Sequence, residues 1–363
     1  MAGKRMRTEE SGPPTARRRR RRIHLTVAGL FALILGLPLL GYVGPPATGA
    51  QPAEEGPRAE QGFPGGDNPR SNYWGTVREG VEGTTTVEGV GMTTLIQNSG
   101  EIYREIRNGP LATYGAGLMG LMLVGLIGFY LIRGSIRLKE GRSGSEVPRF
   151  SGYERGLHWT VAVLFILLAV TGLILLYGRA FLIPVLGPGG FAASADLSKS
   201  THNFLGPVFV VALVLMLIHF FRDNIPRLKD FRGLLRSRDK GIGRFNLFEK
   251  GWFWLILVAG LVVAVTGLIL DFPLFDQTRF AMQLSQVLHA VGGVLLITGA
   301  LGHIYMGTVG MEGSLEGMTS GSVDANWARE HHDGWYDEMK QAGRVEPATP
   351  RGEQGSEVPG ASR

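Results

Sequence analysis

The chain has 363 residues, of which 44% are hydrophobic, and it carries a formal net charge of +6. The hydrophobic residues are concentrated in a few long runs without charge, which is typical of an integral membrane protein. The basic residues lie between these runs and in a leading arginine tract, so membrane topology explains them better than nucleic-acid binding does. There is no cysteine, which excludes disulfides, thiolate metal sites and Fe–S clusters held by this chain.

Residues 1–50 have the layout of a secretory signal peptide. A basic run from Arg17 to Arg22 precedes an apolar stretch from Ile23 to Val43, and small residues lead to a cleavage point near Ala50. The alternative is an uncleaved first membrane helix, and in both cases the chain after residue 50 starts outside. Residues 51–110 are rich in glycine, proline and charge and are predicted to be a periplasmic segment without a catalytic group.

Five further apolar runs are each close to the roughly 20 residues that a membrane-spanning helix needs. The first, within residues 111–133, contains no histidine and is predicted to be an extra packing or anchoring span. The other four lie within residues 150–308 and predict a four-helix transmembrane bundle. They cover residues 156–177, 202–221, 252–270 and 286–307, with a loop outside the membrane at residues 179–200.

Charge fixes the orientation of these spans. Basic residues crowd the linker that follows Arg133 and the loop at 222–250, and the positive-inside rule places both in the cytoplasm. The membrane side that these linkers face is called the inner side below, and the opposite side is the outer side. Residues 309–363 then form a cytoplasmic tail. The predicted fold class is an all-α, multi-pass integral protein of the bacterial inner membrane.

The last predicted span, QVLHAVGGVLLITGALGHIYMG, carries His289 near its outer end and His303 near its inner end. The two histidines are fourteen residues apart, which corresponds to a rise of roughly 21 Å and almost four helical turns, so both imidazoles leave nearly the same face. Gly293 and Gly299 lie one turn inward of the two histidines. Their missing side chains would let a flat macrocycle approach the backbone.

Four histidines fall into two pairs when they are sorted by membrane depth. His202 and His289 lie at outer helix ends, whereas His158 and His303 lie at inner ends. Neutral imidazole is a good iron ligand, so two b-type haems, each held by two axial histidines, are the economical interpretation. The alternative is a cofactor-free membrane anchor with packing or interfacial histidines. His219 is left over as an interfacial side chain, an alternative inner ligand or a proton carrier.

Asn246, in the segment RFNLFEK, lies just before the third span of the bundle and at the depth of the inner histidine pair. An amide can hydrogen-bond a quinone oxygen. The same residue type is also preferred as a helix N-cap, and that interpretation stays open here.

Several segments resemble the gamma subunit, or cytochrome b subunit, of membrane-bound formate dehydrogenases. The resemblance covers roughly residues 150–340, and the tail is its most specific part. The matching segments include RGLHWTVAVLF, STHNFLGPVF, RFNLFEK, QVLHAVGGVLL and LGHIYMGTVGMEGSLEGMTSGSVDANWAREHHDGWYDEM. The four-histidine core is shared more loosely with the cytochrome b subunits of nickel–iron hydrogenases and thiosulfate reductases, which are the alternative assignments.

The resemblance implies a set of cofactors and partners. It implies two haem b groups, held by His202 with His289 and by His158 with His303, and a menaquinone or ubiquinone site that touches Asn246 and His303. It implies a molybdenum or tungsten alpha subunit that oxidises formate and an Fe–S beta subunit that passes electrons to this chain. The chain would then be the quinone-reducing subunit of the enzyme, set in membrane lipid, with a higher oligomer of the complex left open.

Overall fold

The computed structural model describes residues 83–84, 94–96, 98–227, 230, 241–272 and 277–347. The signal peptide predicted in residues 1–50 lies outside these ranges. Helices dominate the described part, as the sequence predicted. They are α1 (Asn98–Ile106), α2 (Ala112–Arg133), α3 (Gly152–Phe220), α4 (Leu247–Asp271), α5 (Arg279–Tyr305), α6 (Ser314–Thr319), α7 (Ala325–His331) and α8 (Asp333–Gln341).

Two small antiparallel sheets accompany the helices. Strand β1 (Gly83–Thr84) pairs with β2 (Thr94–Ile96), ahead of α1. Strand β3 (Glu146–Pro148), in the linker before α3, pairs with β4 (Ser322–Asp324) in the tail. The second sheet therefore ties the tail to the start of the helical bundle.

Among the described residues, four helical segments are long and apolar enough to cross a membrane. They are Ile102–Arg133, Gly152–Phe220, Leu247–Asp271 and Arg279–Gly310. Large apolar side chains cover the faces of these helices that point away from the bundle. Among them, Ile132, Ile218 and Val258 are 89%, 69% and 62% exposed. A surface of this kind needs an apolar surrounding, which supports the predicted class of membrane protein.

Helix α3 is a helical hairpin, because the chain reverses direction at Gly187. The backbone there has φ +69° and ψ 174°, a conformation that is essentially restricted to glycine. Residues far apart in sequence consequently meet across the two arms, such as Phe165 and Phe209, whose ring centroids are 6.3 Å apart. The prediction of a loop at 179–200 was wrong, since these residues are helical apart from the single break.

Each arm of the hairpin is about 50 Å long at 1.5 Å per residue, which exceeds the roughly 30 Å hydrocarbon core of a bilayer. The helical tip around Gly187 therefore extends beyond the span that the sequence predicted. Pro188 immediately follows the break, where a proline costs no helical hydrogen bond.

Capping boxes start both helices that rise from the inner side. The Ser151 side chain accepts the N–H of Glu154, and the Glu154 carboxylate accepts the N–H of Ser151. Asn246 and Glu249 form the same reciprocal pair at the start of α4. These caps satisfy backbone donors that would otherwise be unpaired at the helix ends.

The tail folds back onto the inner ends of the helices. Val147 of β3, Val323 of β4, and Trp327 and Ala328 of α7 are at most 2% exposed and form one apolar cluster. The tail thus forms a small packed layer over the bundle, and residues after 347 lie outside the described part.

Candidate functional site: two histidine pairs

Helix α5 carries both His289 and His303, so it contributes to each of the two levels that the sequence predicted. At the outer level, the rings of His202 and His289 have centroids 6.0 Å apart at an angle of 71°. At the inner level, the rings of His158 and His303 have centroids 6.1 Å apart at 60°. The structure therefore brings together the predicted pairs.

The ring separations fit one metal ion between the members of each pair. Two imidazole nitrogens bound to one metal at about 2 Å each, with ring centres about 1 Å behind the nitrogens, place the centroids about 6 Å apart.

Glycines leave space beside the outer pair. A Cβ added at Gly206 or Gly293, one turn after His202 and His289 respectively, would meet no heavy atom within 4 Å. The open space at Gly293 agrees with the predicted approach of a flat macrocycle to the backbone. A haem, whose face lies across the axis between two imidazoles, fits such an arrangement.

The expectation that Gly299 also leaves space for a flat macrocycle was wrong. A Cβ at Gly299 would lie 2.5 Å from Cζ3 of Trp252 and 2.8 Å from Cδ2 of Leu255. The space is therefore taken by side chains of α4. Trp252 in turn stacks on the ring of His303, with centroids 5.2 Å apart and planes 17° apart.

Two threonines that the sequence interpretation did not select contact the outer pair. Thr171 Oγ1 lies 2.8 Å from Nδ1 of His202, and Thr266 Oγ1 lies 3.3 Å from Nδ1 of His289. A repeat could have revealed them, because the segment AVTGLIL occurs at 169–175 and again at 264–270.

Asn246 is the N-cap of α4, since its Oδ1 accepts the N–H of Glu249 at 3.0 Å. The capping interpretation is therefore confirmed. Asn246 lies six residues before Trp252, which stacks on His303, so its amide lies roughly 9 Å further toward the inner side along α4.

His219 does not join either pair. Its Nε2 lies 3.3 Å from Oε1 of Glu154, and its ring contacts Tyr153 edge-on. The side chain is 37% exposed, which agrees with an interfacial position at the inner end of α3.

Two crossed ion pairs join the inner ends of α3 and α4. Arg149 Nη2 donates to Glu249 at 2.9 Å, and Arg244 Nη2 donates to Glu154 at 2.7 Å. Each arginine also donates to the other's backbone carbonyl, at 3.2 and 2.8 Å. Burial lowers the pKa of Arg149, partly offset by the charge of Glu249. The buried members of the two pairs, Arg149 and Glu154, are therefore held by their partners rather than by water.

A second repeat underlies these pairs. The segment RFSGYERGLHW begins at Arg149, and RFNLFEKGWFW begins 95 residues later at Arg244. The arginine, phenylalanine, glutamate, glycine and tryptophan positions are identical. The offset is the same as that of the AVTGLIL repeat, so the helical hairpin α3 and the α4–α5 pair begin as two copies of one pattern.

The tail contributes His332 to this inner layer, and this residue is completely buried. Its Nδ1 donates to the Gly243 carbonyl at 2.9 Å, and its Nε2 faces Arg149 Nη2 at 3.2 Å. Burial first, and then the positive charge of Arg149, lowers the pKa of His332 to about 4. His332 is thus a neutral acceptor that fastens the tail to the crossed ion pairs.

Apolar helices that carry histidines paired at two levels define the class of membrane-bound b-type cytochromes. The family model of prokaryotic cytochrome b561 matches residues 149–321, which include all four histidines. This family implies haem b as the prosthetic group, in agreement with the fit described above.

The chain is also similar to subunits of one kind of respiratory enzyme. It is 34% identical over 209 residues to the cytochrome b556(Fdn) subunit of the nitrate-inducible formate dehydrogenase of Escherichia coli K12, covering 54% of this chain and 93% of that relative. A cytochrome b556(fdo) subunit from the same organism is 29% identical over 209 residues, covering 54% and 94%. A cytochrome b556 subunit of Haemophilus influenzae formate dehydrogenase is 28% identical over 193 residues, covering 50% and 78%.

The chain therefore belongs to the family of formate dehydrogenase cytochrome b556 subunits, and it is a membrane cytochrome b subunit for electron transfer. The resemblance noted from the sequence is confirmed. The described residues 98–133, which include α1 and α2, precede the region matched by the family model.

Proposed function

We propose that this chain is the cytochrome b subunit of a formate dehydrogenase complex of the bacterial inner membrane. It receives electrons from an Fe–S subunit, which takes them from a molybdenum or tungsten subunit that oxidises formate, and it delivers them to membrane quinone. His202 with His289, and His158 with His303, hold two haem b groups as axial ligands. When bound, these groups supply one-electron transfer between the two sides of the membrane.

The single observation that carries this proposal is the pairing of four histidines at two levels along α5. Ring centroids 6.0 and 6.1 Å apart suit a shared iron at each level. Unpaired interfacial histidines would have no reason to meet in two such couples inside an apolar bundle. The names of the relatives support formate as the electron source and the other subunits as partners.

The proposal is tested by a reduced-minus-oxidised optical spectrum of the purified complex, with haem counted per chain. We expect two haem b per chain, and one fewer in both His289→Ala and His158→Ala. His219→Ala is the matched control, because His219 contacts Glu154 instead of a second histidine, and it should retain both haems. Absence of a b-type α band in the unmodified complex, or equal haem content in all three variants, contradicts the proposal.

The division of labour between subunits has its own readout. His289→Ala should block formate-dependent quinone reduction while formate oxidation with an artificial dye continues, because formate chemistry lies on a partner. Loss of dye-linked oxidation in a normally assembled complex would contradict this assignment.

We place the quinone headgroup, menaquinone or ubiquinone, near Asn246 and His303. The Oδ1 of Asn246 is used by the helix cap, whereas its Nδ2 has no hydrogen bond to any residue that the structure describes. That N–H group can donate to a quinone oxygen. The equivalent position of the first copy is Ser151, which makes the same cap without an amide.

This comparison supplies the experiment for the quinone site. Asn246→Ser should preserve the cap, the haem content and the stability but lower the rate of quinone reduction. Asn246→Ala should lower that rate as well and also cost about 1 kcal/mol of stability through loss of the cap. Ser151→Ala is the control that loses a cap without affecting quinone reduction. An unchanged rate in Asn246→Ser would refute the contact.

The extra helix α2 and the N-terminal region complete the proposed topology. Residues 111–133 form an additional span ahead of the four-helix cytochrome b domain at 150–308, and the preceding residues 51–110 are periplasmic. The apolar, largely exposed surface of α2 supports this placement, as does Arg133 at its inner end. The tail at 309–363 is cytoplasmic.

A further inference from the structure

The two copies of the segment AVTGLIL each place a threonine against a histidine of the outer pair. Thr171 lies on the first arm of α3 and contacts His202 on the second arm. Thr266 lies on α4 and contacts His289 on α5. Each threonine therefore contacts the histidine on the second helix of its own hairpin.

The hydroxyl proton of Thr171 is committed to its own helix. Thr171 Oγ1 donates to the carbonyl of Leu167 at 2.9 Å, with the carbonyl of Leu168 at 3.1 Å. A hydroxyl has a single proton, so the oxygen can only accept from the ring of His202. The 2.8 Å contact is therefore a hydrogen bond that Nδ1–H of His202 donates.

Thr266 repeats this geometry at the second copy. Its Oγ1 donates to the Val262 carbonyl at 2.6 Å and lies 3.3 Å from Nδ1 of His289. The same Nδ1 lies 3.0 Å from the carbonyl of Val263, which can only accept. Nδ1 of His289 consequently carries the proton, and its Nε2 keeps a free lone pair.

The glycine that follows each threonine makes room for the ring. A Cβ at Gly172 would lie 3.4 Å from Cε1 of His202, and a Cβ at Gly267 would lie 3.0 Å from Cε1 of His289. The pair Thr–Gly thus provides an acceptor and a gap at the same place. An added Cβ would press on the ring of His289 at Gly267, whereas the distance at Gly172 is an ordinary contact.

The inner pair has no comparable support within the described residues. Nδ1 of His158 is buried without a hydrogen-bond partner there. His303 makes ring contacts with Trp252 and His158 but no hydrogen bond to a described residue. The two levels therefore differ in the acceptors offered to their imidazoles.

We propose that Thr171 and Thr266 are positioning residues that, with the Val263 carbonyl beside His289, hold His202 and His289 as Nδ1–H tautomers and make them stronger iron ligands than the inner histidines. A hydrogen bond donated by the far ring nitrogen raises the basicity of the ligating nitrogen. A more basic ligand favours ferric iron and lowers the reduction potential. The outer haem then has the lower potential, which drives electrons inward. This inference rests on the proposed function.

The test is a potentiometric titration of the haem α band in the purified complex, which resolves two midpoint potentials. In Thr171→Val the lower midpoint should rise towards the higher one, which stays in place. Thr266→Val should raise it by less, because the carbonyl of Val263 still accepts from His289. Thr171→Ser and Thr266→Ser keep a hydroxyl and should restore the original value. Thr298→Val is the matched control, because buried Thr298 donates to the Val294 carbonyl and has no hydrogen bond to a histidine within the described residues.

Each outcome has a defined meaning. Unchanged midpoints in both valine variants with full haem content, or movement of the higher midpoint, overturn the inference. If a valine variant loses one haem and the matching serine variant keeps it, the inference is supported. If the serine variant loses the haem as well, or if Thr298→Val also loses it, the inference is overturned. Absence of b-type haem from the unmodified complex would refute the proposed function instead.

Discussion

Acidification should release the tail through His332. In the folded tail its Nε2 accepts from Arg149 and its Nδ1 donates to Gly243, so a second ring proton would face the guanidinium at 3.2 Å. Glu249, 3.7 Å away, offsets only part of this repulsion, and His331 adds to it when charged. The pKa is therefore about 4 when the tail is docked, against an ordinary value of 6.5.

The direction and the size of the change in docking free energy follow from this difference in pKa. The released tail binds the extra proton more readily, so docking is fully stable above pH 6.5 and is weakened progressively down to pH 4. At pH 5 the loss is about 2 kcal/mol relative to neutral pH, or roughly 30-fold in the ratio of docked to released tail, at about 1.4 kcal/mol for each tenfold change.

Hydrogen–deuterium exchange of residues 322–341 measures this change, after correction for the intrinsic effect of pH on exchange. Protection should fall between pH 7.5 and 5.0 in the unmodified protein. His332→Gln, whose amide can replace both hydrogen bonds, should keep its protection at pH 5. His331→Gln is the control and should behave like the unmodified protein. The reasoning is refuted if His332→Gln loses protection to the same extent.

Two further changes test the inner ion pairs and the hairpin, with thermal unfolding of the solubilised protein as the measurement. Arg244→Leu should cost about 2–3 kcal/mol, because it leaves the buried carboxylate of Glu154 without its arginine; Arg329→Leu, which breaks an exposed ion pair, should change little. Gly187→Ala should cost about 1–3 kcal/mol of stability through backbone strain. Gly189→Ala is the control and should cost little, because Gly189 is at a helical position with open space around it. Equal effects of the two changes would contradict the hairpin geometry.

The depth of each histidine could be predicted from the sequence, because an apolar span fixes where its ends lie relative to the membrane. His202 with His289 and His158 with His303 follow from that rule alone, and the structure brings both couples together. The loop at 179–200 could not be predicted correctly. Its glycines and prolines are typical of a loop, yet the reversal needs only Gly187, and Pro188 fits the first turn of the second arm.

Contacts between distant residues account for the other differences. Gly299 has the spacing of a haem-facing glycine, but Trp252 from the neighbouring helix fills the space. Local pattern also could not show that Arg149 pairs with Glu249, which is 100 residues away. The repeat that begins at Arg149 and Arg244 marks the residues involved, since the arginine and the glutamate recur in both copies, but their pairing is seen only in the structure.

The duplication also gives a physical reason for the difference between the two levels. The outer histidines play the same part in the two hairpins, because His202 and His289 each lie on the returning helix and each meets the threonine of the rising helix. They are 87 residues apart, so they share this part without sharing the offset of 95 that relates the two threonines. The inner histidines do not play this part in both hairpins, because His158 lies on a rising helix, where the second copy has Phe253. An imidazole on the rising helix is out of reach of the Thr–Gly support that this helix provides. The two levels therefore differ in hydrogen bonding because one inner histidine, His158, lies on the rising helix instead of the returning one.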